Sequence, residues 1–276
     1  MRRNLELIQP VLLCGGLGQR LYPLSTPDKP KPFLNLTSEL SMLQETALRV
    51  SELKPPMVLC NDQHVDMVYK DIDGINLKVG PVIGEPTSKN TGPACALAVK
   101  YFLEMEKDEI LLFLPCDHVI KNLPAFHEAI EKSYDAANKD QIVLFGEQPS
   151  SPDTGYGYIQ VKPEPNQKSV KTIQQFIEKP VLEDAMSYLE QGYLWNTGIM
   201  VVRTSTLLRA FQEHAPDIWH VIKDLSVKHF TDKDYSKCPD ISIDYALLEN
   251  MHGIMVCEVD MGWSDIGTMD RLKALA

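Results

Sequence analysis

Short, uninterrupted apolar runs separated by segments of helical spacing dominate the first 145 residues, and they narrow the choice of fold more than any other feature. Residues 11–14, 57–60, 110–114 and 142–145 are continuous apolar stretches such as Val11-Leu12-Leu13-Cys14 and Ile110-Leu111-Leu112-Phe113-Leu114. Between them, 42–53 repeats Leu43, Ala47, Val50 and Leu53 on one helical face. Residues 93–106 do the same with Ala94, Leu97, Ala98, Tyr101 and Phe102, and 123–137 with Phe126, Ile130, Tyr134 and Ala137. A strand with no polar alternation is buried on both faces, so helices must cover both sides of its sheet. The pattern predicts an α/β fold with a doubly wound, mostly parallel sheet, which binds ligands at the carboxyl ends of its strands.

The texture changes after residue 150. Residues 155–161 and 169–177 alternate as half-buried strands around the loop 162–168. A helix at 182–189, a strand at 198–202, a helix at 204–213, a loop at 239–241 and a helix at 243–250 follow. This half reads as a mixed-sheet subdomain forming the other wall of a cleft. No repeat, low-complexity tract or long linker interrupts the 276 residues, a length that suits one large α/β domain or two smaller ones.

With 44% hydrophobic and 24% charged residues the chain is expected to fold as a globule. Its 27 Lys and Arg against 38 Asp and Glu give a formal charge of −11, which argues against a nucleic-acid partner. A few cations gathered in one cleft still suit a small phosphorylated ligand. No apolar stretch reaches the roughly 18 residues of a membrane span. Glu6 and Gln9 interrupt any signal-peptide core, so the expected location is cytoplasmic. The six cysteines show neither CxxC nor zinc-site spacing and are expected to be buried, reduced thiols. Cys14 and Cys116 lie beside the motifs below, which leaves a redox effect on activity open.

The first apolar run leads into Gly15-Gly16-Leu17-Gly18-Gln19-Arg20-Leu21-Tyr22-Pro23-Leu24. Glycines there let backbone amides approach a phosphate chain. The loop alone is a weak signal: Leu21 stands where a dinucleotide-binding fingerprint needs its third glycine, and no GK[ST] follows. Arg20 directly after the loop, and Lys31 in Pro30-Lys31-Pro32-Phe33-Leu34, sharpen it, because two cations suit a triphosphate undergoing charge redistribution.

These two runs resemble the signature of the nucleoside-diphosphate-sugar pyrophosphorylases, with the mannose-1-phosphate guanylyltransferases as the nearest branch. The resemblance continues through Glu85-Pro86-Thr87-Ser88-Lys89-Asn90-Thr91-Gly92-Pro93-Ala94, Pro115-Cys116-Asp117-His118 and Gly155-Tyr156-Gly157-Tyr158-Ile159. Phe176-Ile177-Glu178-Lys179-Pro180, Trp195-Asn196-Thr197-Gly198 and Trp263-Ser264-Asp265-Ile266-Gly267 complete it, so the motifs run from position 15 to 267. It implies a Rossmann-like, GT-A-like nucleotidyltransferase domain over 1–276, with a nucleotide-binding half to about 150 and a sugar-phosphate-binding half from 151. It also implies GTP and mannose 1-phosphate as substrates, magnesium as cofactor and no membrane partner, and it allows a homodimer.

The residues can be read beside that resemblance. Asp117 follows an apolar strand at the edge where the glycine loop should lie, and a carboxylate there repels a triphosphate unless a hard cation intervenes. The family implies Asp265 as the second metal carboxylate. His118 is expected to be a hydrogen-bonding neighbour, since the attacking sugar phosphate is already an anion and needs no base. By resemblance Glu178 accepts from sugar hydroxyls, Lys179 holds the sugar's phosphate, and Asn196 and the Gly157 backbone grip the sugar. Pro180 favours an extended or bent Lys179, which could bring both charged groups to the cleft. Gly15, Gly16 and Gly18 would cradle the phosphates. Glu85, Asn90 and Thr91 form the expected nucleobase region, where a carboxylate can accept from guanine N1–H and N2–H. Gly92, Cys116 and Met269 depart from the commoner family residues and leave nucleotide and sugar preference open. A dTTP- or heptose-phosphate-using pyrophosphorylase and a non-catalytic regulatory paralogue are the alternatives. With no C-terminal β-helix or cupin domain visible, a second isomerase activity is expected to be absent.

Overall fold

The structure, a computed structural model, describes residues 5–16, 19–163 and 169–273. Its strands are β1 (Ile8–Cys14), β2 (Met57–Asn61), β3 (Val82–Glu85), β4 (Ile110–Pro115), β5 (Val119–Ile120), β6 (Val143–Glu147), β7 (Gly157–Val161), β8 (Lys171–Glu178), β9 (Leu194–Arg203), β10 (Met255–Val259) and β11 (Trp263–Ser264). The helices are α1 (Met42–Arg49), α2 (Val65–Asp73), α3 (Thr91–Glu104), α4 (Leu123–Ala137), α5 (Leu182–Glu190), α6 (Thr204–His214), α7 (Pro216–Ile222), α8 (Asp232–Tyr235), α9 (Ile243–Ala246) and α10 (Met269–Lys273).

Among the described residues, nine strands form one sheet in the order β3-β2-β1-β4-β9-β6-β10-β8-β7. β3, β2, β1 and β4 are parallel, so their carboxyl ends share one edge. Their side chains alternate between two cores, as strands buried on both faces must. Val11, Leu59, Leu111 and Phe113 pack with α3, α6 and α7, while Leu12, Val58, Leu112 and Leu114 pack with α1, α2 and α4. This is the doubly wound α/β arrangement that the apolar runs predict.

β9 enters the sheet between β4 and β6 and runs antiparallel to both. Its first residues therefore lie at the edge where β4 and β6 end. The antiparallel pair β7–β8 forms the mixed portion and extends the same sheet. A buried carboxylate ties the last motif to this edge: Glu147, ending β6, accepts from the backbone N–H groups of Met261, Gly262 and Trp263 at 3.1, 2.9 and 3.4 Å.

The expectation of six free thiols is corrected at one pair. Cys14 and Cys116 form a disulfide, while Cys60, Cys95, Cys238 and Cys257 are free and buried. The pair follows from register: Leu13 lies opposite Pro115 on adjacent strands, and the next residues come within a Cα–Cα distance of 5.4 Å. No helix among the described residues is long and apolar enough to cross a membrane.

Candidate active site

The shared edge opens into a cleft of about 890 Å³, near the upper end of the usual range for small-molecule sites. Gly15, Gly16 and Arg20 line it after β1, Lys31 from the following turn, Glu85 from the end of β3, and Asn90 and Thr91 from the start of α3. Asp117 joins them after β4, Gly157 on β7, Glu178 and Lys179 at the end of β8, Asn196 on β9 and Asp265 after β11. Gly18 lies outside the described residues.

Lys31 is the hub of the wall built around β1 and β4. Pro30 and Pro32 flank it in a tight turn, and the residue is only 3% exposed. Its Nζ donates to Asp117 Oδ2 at 2.9 Å and to the backbone oxygen of Asp265. An ammonium has three donors, so among the described residues one N–H remains without an acceptor. Burial is the largest influence on the Asp117 carboxyl and would raise it, but Lys31, through its charge and hydrogen bond, and His118 together outweigh burial and hold the group below its ordinary value. Asp265 is likewise held low against burial, by His118 and Arg271 first. Its Oδ1 accepts from Tyr156 OH at 2.8 Å, Gly267 N–H at 3.0 Å and Arg271 Nη1 at 2.6 Å. Arg271 also pairs with Asp153 and lies 4.3 Å from the Tyr156 ring centre.

Two ionised carboxylates in one cleft form an all-oxygen donor set that fits a hard divalent cation taking its remaining ligands from phosphate and water. No group of three or more metal-binding side chains is assembled among the described residues, as such a sparsely liganded ion allows. For Asp265 to ligate, an oxygen now shared with Arg271 would have to turn outward. His118 accepts from Trp263 Nε1 through its Nδ1 at 3.0 Å, and burial lowers its pKa, so near neutral pH the uncharged ring carries its proton on Nε2 and its positive charge acts on the neighbouring carboxyls only once it is protonated in acid.

On the opposite wall the chain turns sharply after β8. Lys179 sits in the left-handed region at φ 47°, a conformation costly for a residue with a Cβ, and there its ammonium pairs with Glu178 while both line the cleft. The bend expected from Pro180 is thus a left-handed one. Gly157 has to be glycine for Glu178 to lie where it does: an added Cβ would stand 2.6 Å from Glu178 Oε2. Gly15 and Gly16 face no such obstacle from the protein, with Glu85 Oε2 at 3.7 Å from the first and nothing within 4 Å of the second.

Asn90 and Thr91 reach the cleft but spend side-chain bonds on the fold. Asn90 caps α3 by accepting from Thr91 N–H at 2.9 Å, and Thr91 Oγ1 accepts from Ile243 N–H at 2.9 Å. Sequence reasoning missed Asp244, Tyr156, Tyr235 and Arg271. Asp244 accepts from Asn196 Nδ2 at 3.0 Å and lines the cleft near Glu178. Burial pushes Asp244 up, and burial followed by Asp244 pushes Glu178 up. Ser242-Ile243-Asp244 reads as an ordinary helix start, so nothing in it pointed to the cleft.

Residues 9–276 match the Nucleotidyl transferase family. The chain is 36% identical over 276 residues to a mannose-1-phosphate guanylyltransferase of Salmonella muenchen, covering 95% of this chain and 58% of that relative's length. Among solved structures, one described as a mannose-1-phosphate geranyltransferase from Thermus thermophilus superposes with a TM-score of 0.88 at 28% identity, covering 98% of this chain and 79% of that one. Another, described as a mannose-6-phosphate isomerase from Helicobacter pylori, gives 0.77 at 30% identity, covering 94% and 99%. The chain belongs to the nucleotidyl transferase family.

Proposed function

We propose that this chain makes GDP-mannose and pyrophosphate from GTP and mannose 1-phosphate. The observation that carries the reading is one buried lysine, Lys31, holding the Asp117 carboxylate and the Asp265 backbone in a cleft whose far wall presents Glu178 and Lys179. Such a cleft brings a triphosphate and a second phosphorylated ligand face to face. The Salmonella muenchen relative, named for this activity, supports the choice of substrates.

An oxygen of the sugar phosphate attacks the α-phosphorus in line, forming a new P–O bond as the α–β bridging bond breaks and pyrophosphate leaves. Positioning and charge neutralisation do the work, and no protein nucleophile is needed. Lys179 orients the incoming phosphate, and Glu178 and Asn196 accept or donate at sugar hydroxyls. Arg20 lies exposed at the mouth, where its guanidinium meets the departing pyrophosphate. The third Lys31 N–H reaches a phosphate oxygen. Glu85 reads the guanine edge. Magnesium bound by Asp117 and Asp265 would supply Lewis-acid polarisation of the reacting phosphate.

The test is pyrophosphate release with each nucleoside triphosphate and mannose 1-phosphate, with and without magnesium. Release confined to GTP and dependent on the ion is the expected result. Preference for dTTP, or for a heptose phosphate, would overturn the choice of substrates. No release with any pair offered would overturn the enzyme reading.

A further inference from the structure

Glu85 is a carboxylate buried without a cation. It is 5% exposed at the end of β3, lines the cleft, and pairs with no Lys or Arg among the described residues. Its Oε1 accepts from Tyr235 OH at 2.5 Å, and its Oε2 lies on the Gly15 side. Tyr235, on α8, is fully buried and reaches Glu85 across 150 positions of sequence. A carboxylate out of water needs donors, and among the described residues a single side chain supplies one. The other oxygen faces the glycine loop that follows β1.

We propose that Tyr235 is the positioning residue of nucleobase recognition, holding Oε1 of Glu85 so that Oε2 accepts an N–H from the purine edge and selects guanine over adenine. The inference rests on the guanine reading above. Guanine offers N1–H, whereas adenine presents a lone pair at N1, which an ionised carboxylate repels and a protonated one can satisfy. Discrimination therefore depends on the ionisation of Glu85.

Burial pushes Glu85 up to about 7, and the Tyr235 hydrogen bond opposes the rise. The groups around it do not titrate there. Cys60 on β2 is pushed up to about 12, Cys238 after α8 to about 11, and Cys95 on α3 and Tyr235 lie well above their ordinary values. Asp62, Asp244 and Lys89 act on those thiols from further out. With a raised pKa the ionised form prevails only above that value, so guanine preference is full at high pH and lost as pH falls through it. Removing the tyrosine hydroxyl removes a bond that favours ionisation, which moves the loss to higher pH.

The experiment is calorimetric binding of GTP and ATP from pH 5.5 to 8.5 to the wild-type chain, Tyr235→Phe and Glu85→Gln. Both ligands carry the same triphosphate, so its titration cancels in the affinity ratio. The expected wild-type ratio falls by up to about tenfold per pH unit below its midpoint. Tyr235→Phe should shift that midpoint up by about one unit, the scale of one hydrogen bond to a charged group. Glu85→Gln should flatten the curve. A wild-type ratio independent of pH, which needs no variant to observe, overturns the proposal. So does a folded Tyr235→Phe protein that keeps the wild-type midpoint. A wild-type protein that prefers ATP at pH 8.5 instead refutes the guanine reading itself.

Discussion

On the wall built around β1 and β4, Asp117 and Asp265 are held below their ordinary pKa values, whereas across the cleft Glu178 and Asp244 are pushed above theirs. Burial acts on all four in the same direction. The difference lies in the cations: Lys31 and Arg271 reach the first pair, while Glu178 and Asp244 stand close together with Lys179 alone between them. The wall around β1 and β4 thus keeps Asp117 and Asp265 ionised. Across the cleft, burial and mutual repulsion leave Glu178 and Asp244 easier to protonate than Asp117 and Asp265. One fold edge thus holds two electrostatically different walls, set by where its basic groups lie.

Removing Lys31 should break the comparison most severely. Lys31→Ala is expected to cut pyrophosphate release by at least about 10²-fold, the scale of one lost electrostatic group. It also strands Asp117, so stability should fall toward the lower end of the roughly 3–5 kcal/mol lost when a buried pair is broken, since Asp117 keeps some solvent contact. Turnover and urea midpoints check both numbers. A variant of normal rate would remove Lys31 from the mechanism.

The second expectation concerns pH. As pH falls from neutrality, Glu178 and Asp244 take up protons before Asp117 and Asp265, because their pKa values are raised and those of the other pair are lowered. The KM for mannose 1-phosphate should therefore rise at a higher pH than the one at which kcat collapses. Glu178→Gln should raise that KM about tenfold, one lost hydrogen bond to a charged group, and blunt its pH dependence. Profiles that move together in the wild type would mean the walls are not electrostatically distinct.

Both walls were legible in the sequence to different depths. The wall around β1 and β4 stands on continuous apolar strands, two of whose ends lead into Gly15 and Asp117, and burial on both faces forces such runs into a central parallel sheet, whereas β3, the short half-buried stretch Val82–Glu85 that carries Glu85, gives no such signal. Nothing in Gly198-Ile199-Met200-Val201-Val202 encodes strand direction, so the placement of β9 between β4 and β6 could not be read. The strand β10 and the helix α2 also escaped, being short stretches broken by charged residues. Pairings such as Tyr235 with Glu85, Asn196 with Asp244 and Cys14 with Cys116 depend on register between distant segments. Composition carries no trace of them.

Gly157 offers a finer cut at the wall that carries Glu178. Gly157→Ala places a Cβ 2.6 Å from Glu178 Oε2 and 3.1 Å from the Phe176 ring, so the Glu178 side chain must move. The effect should fall on the KM for the sugar phosphate by a few-fold, less than that of Glu178→Gln because the carboxylate remains. Kinetics with GTP held saturating would isolate it, and a normal KM would mean that the close approach of β7 and β8 does not aim Glu178.

Asn90 is where the smallest effect sharpens the contrast most. It lies in the cleft, yet its side chain already accepts from Thr91 N–H as the cap of α3, at a left-handed φ of 66°. Asn90→Gly relieves the backbone and removes only the cap, so the expected cost is a few tenths of a kcal/mol, with Asn90→Ala nearer 1 kcal/mol or more because its Cβ must tolerate the same φ. If capping is all that Asn90 does, the KM for GTP stays at the wild-type value in Asn90→Gly while the melting temperature drops slightly. A rise in that KM beyond the loss in stability would return Asn90 to the nucleobase region. The boundary between scaffold and ligand contact would then run through α3 itself, rather than between Glu85 and the first turn of that helix.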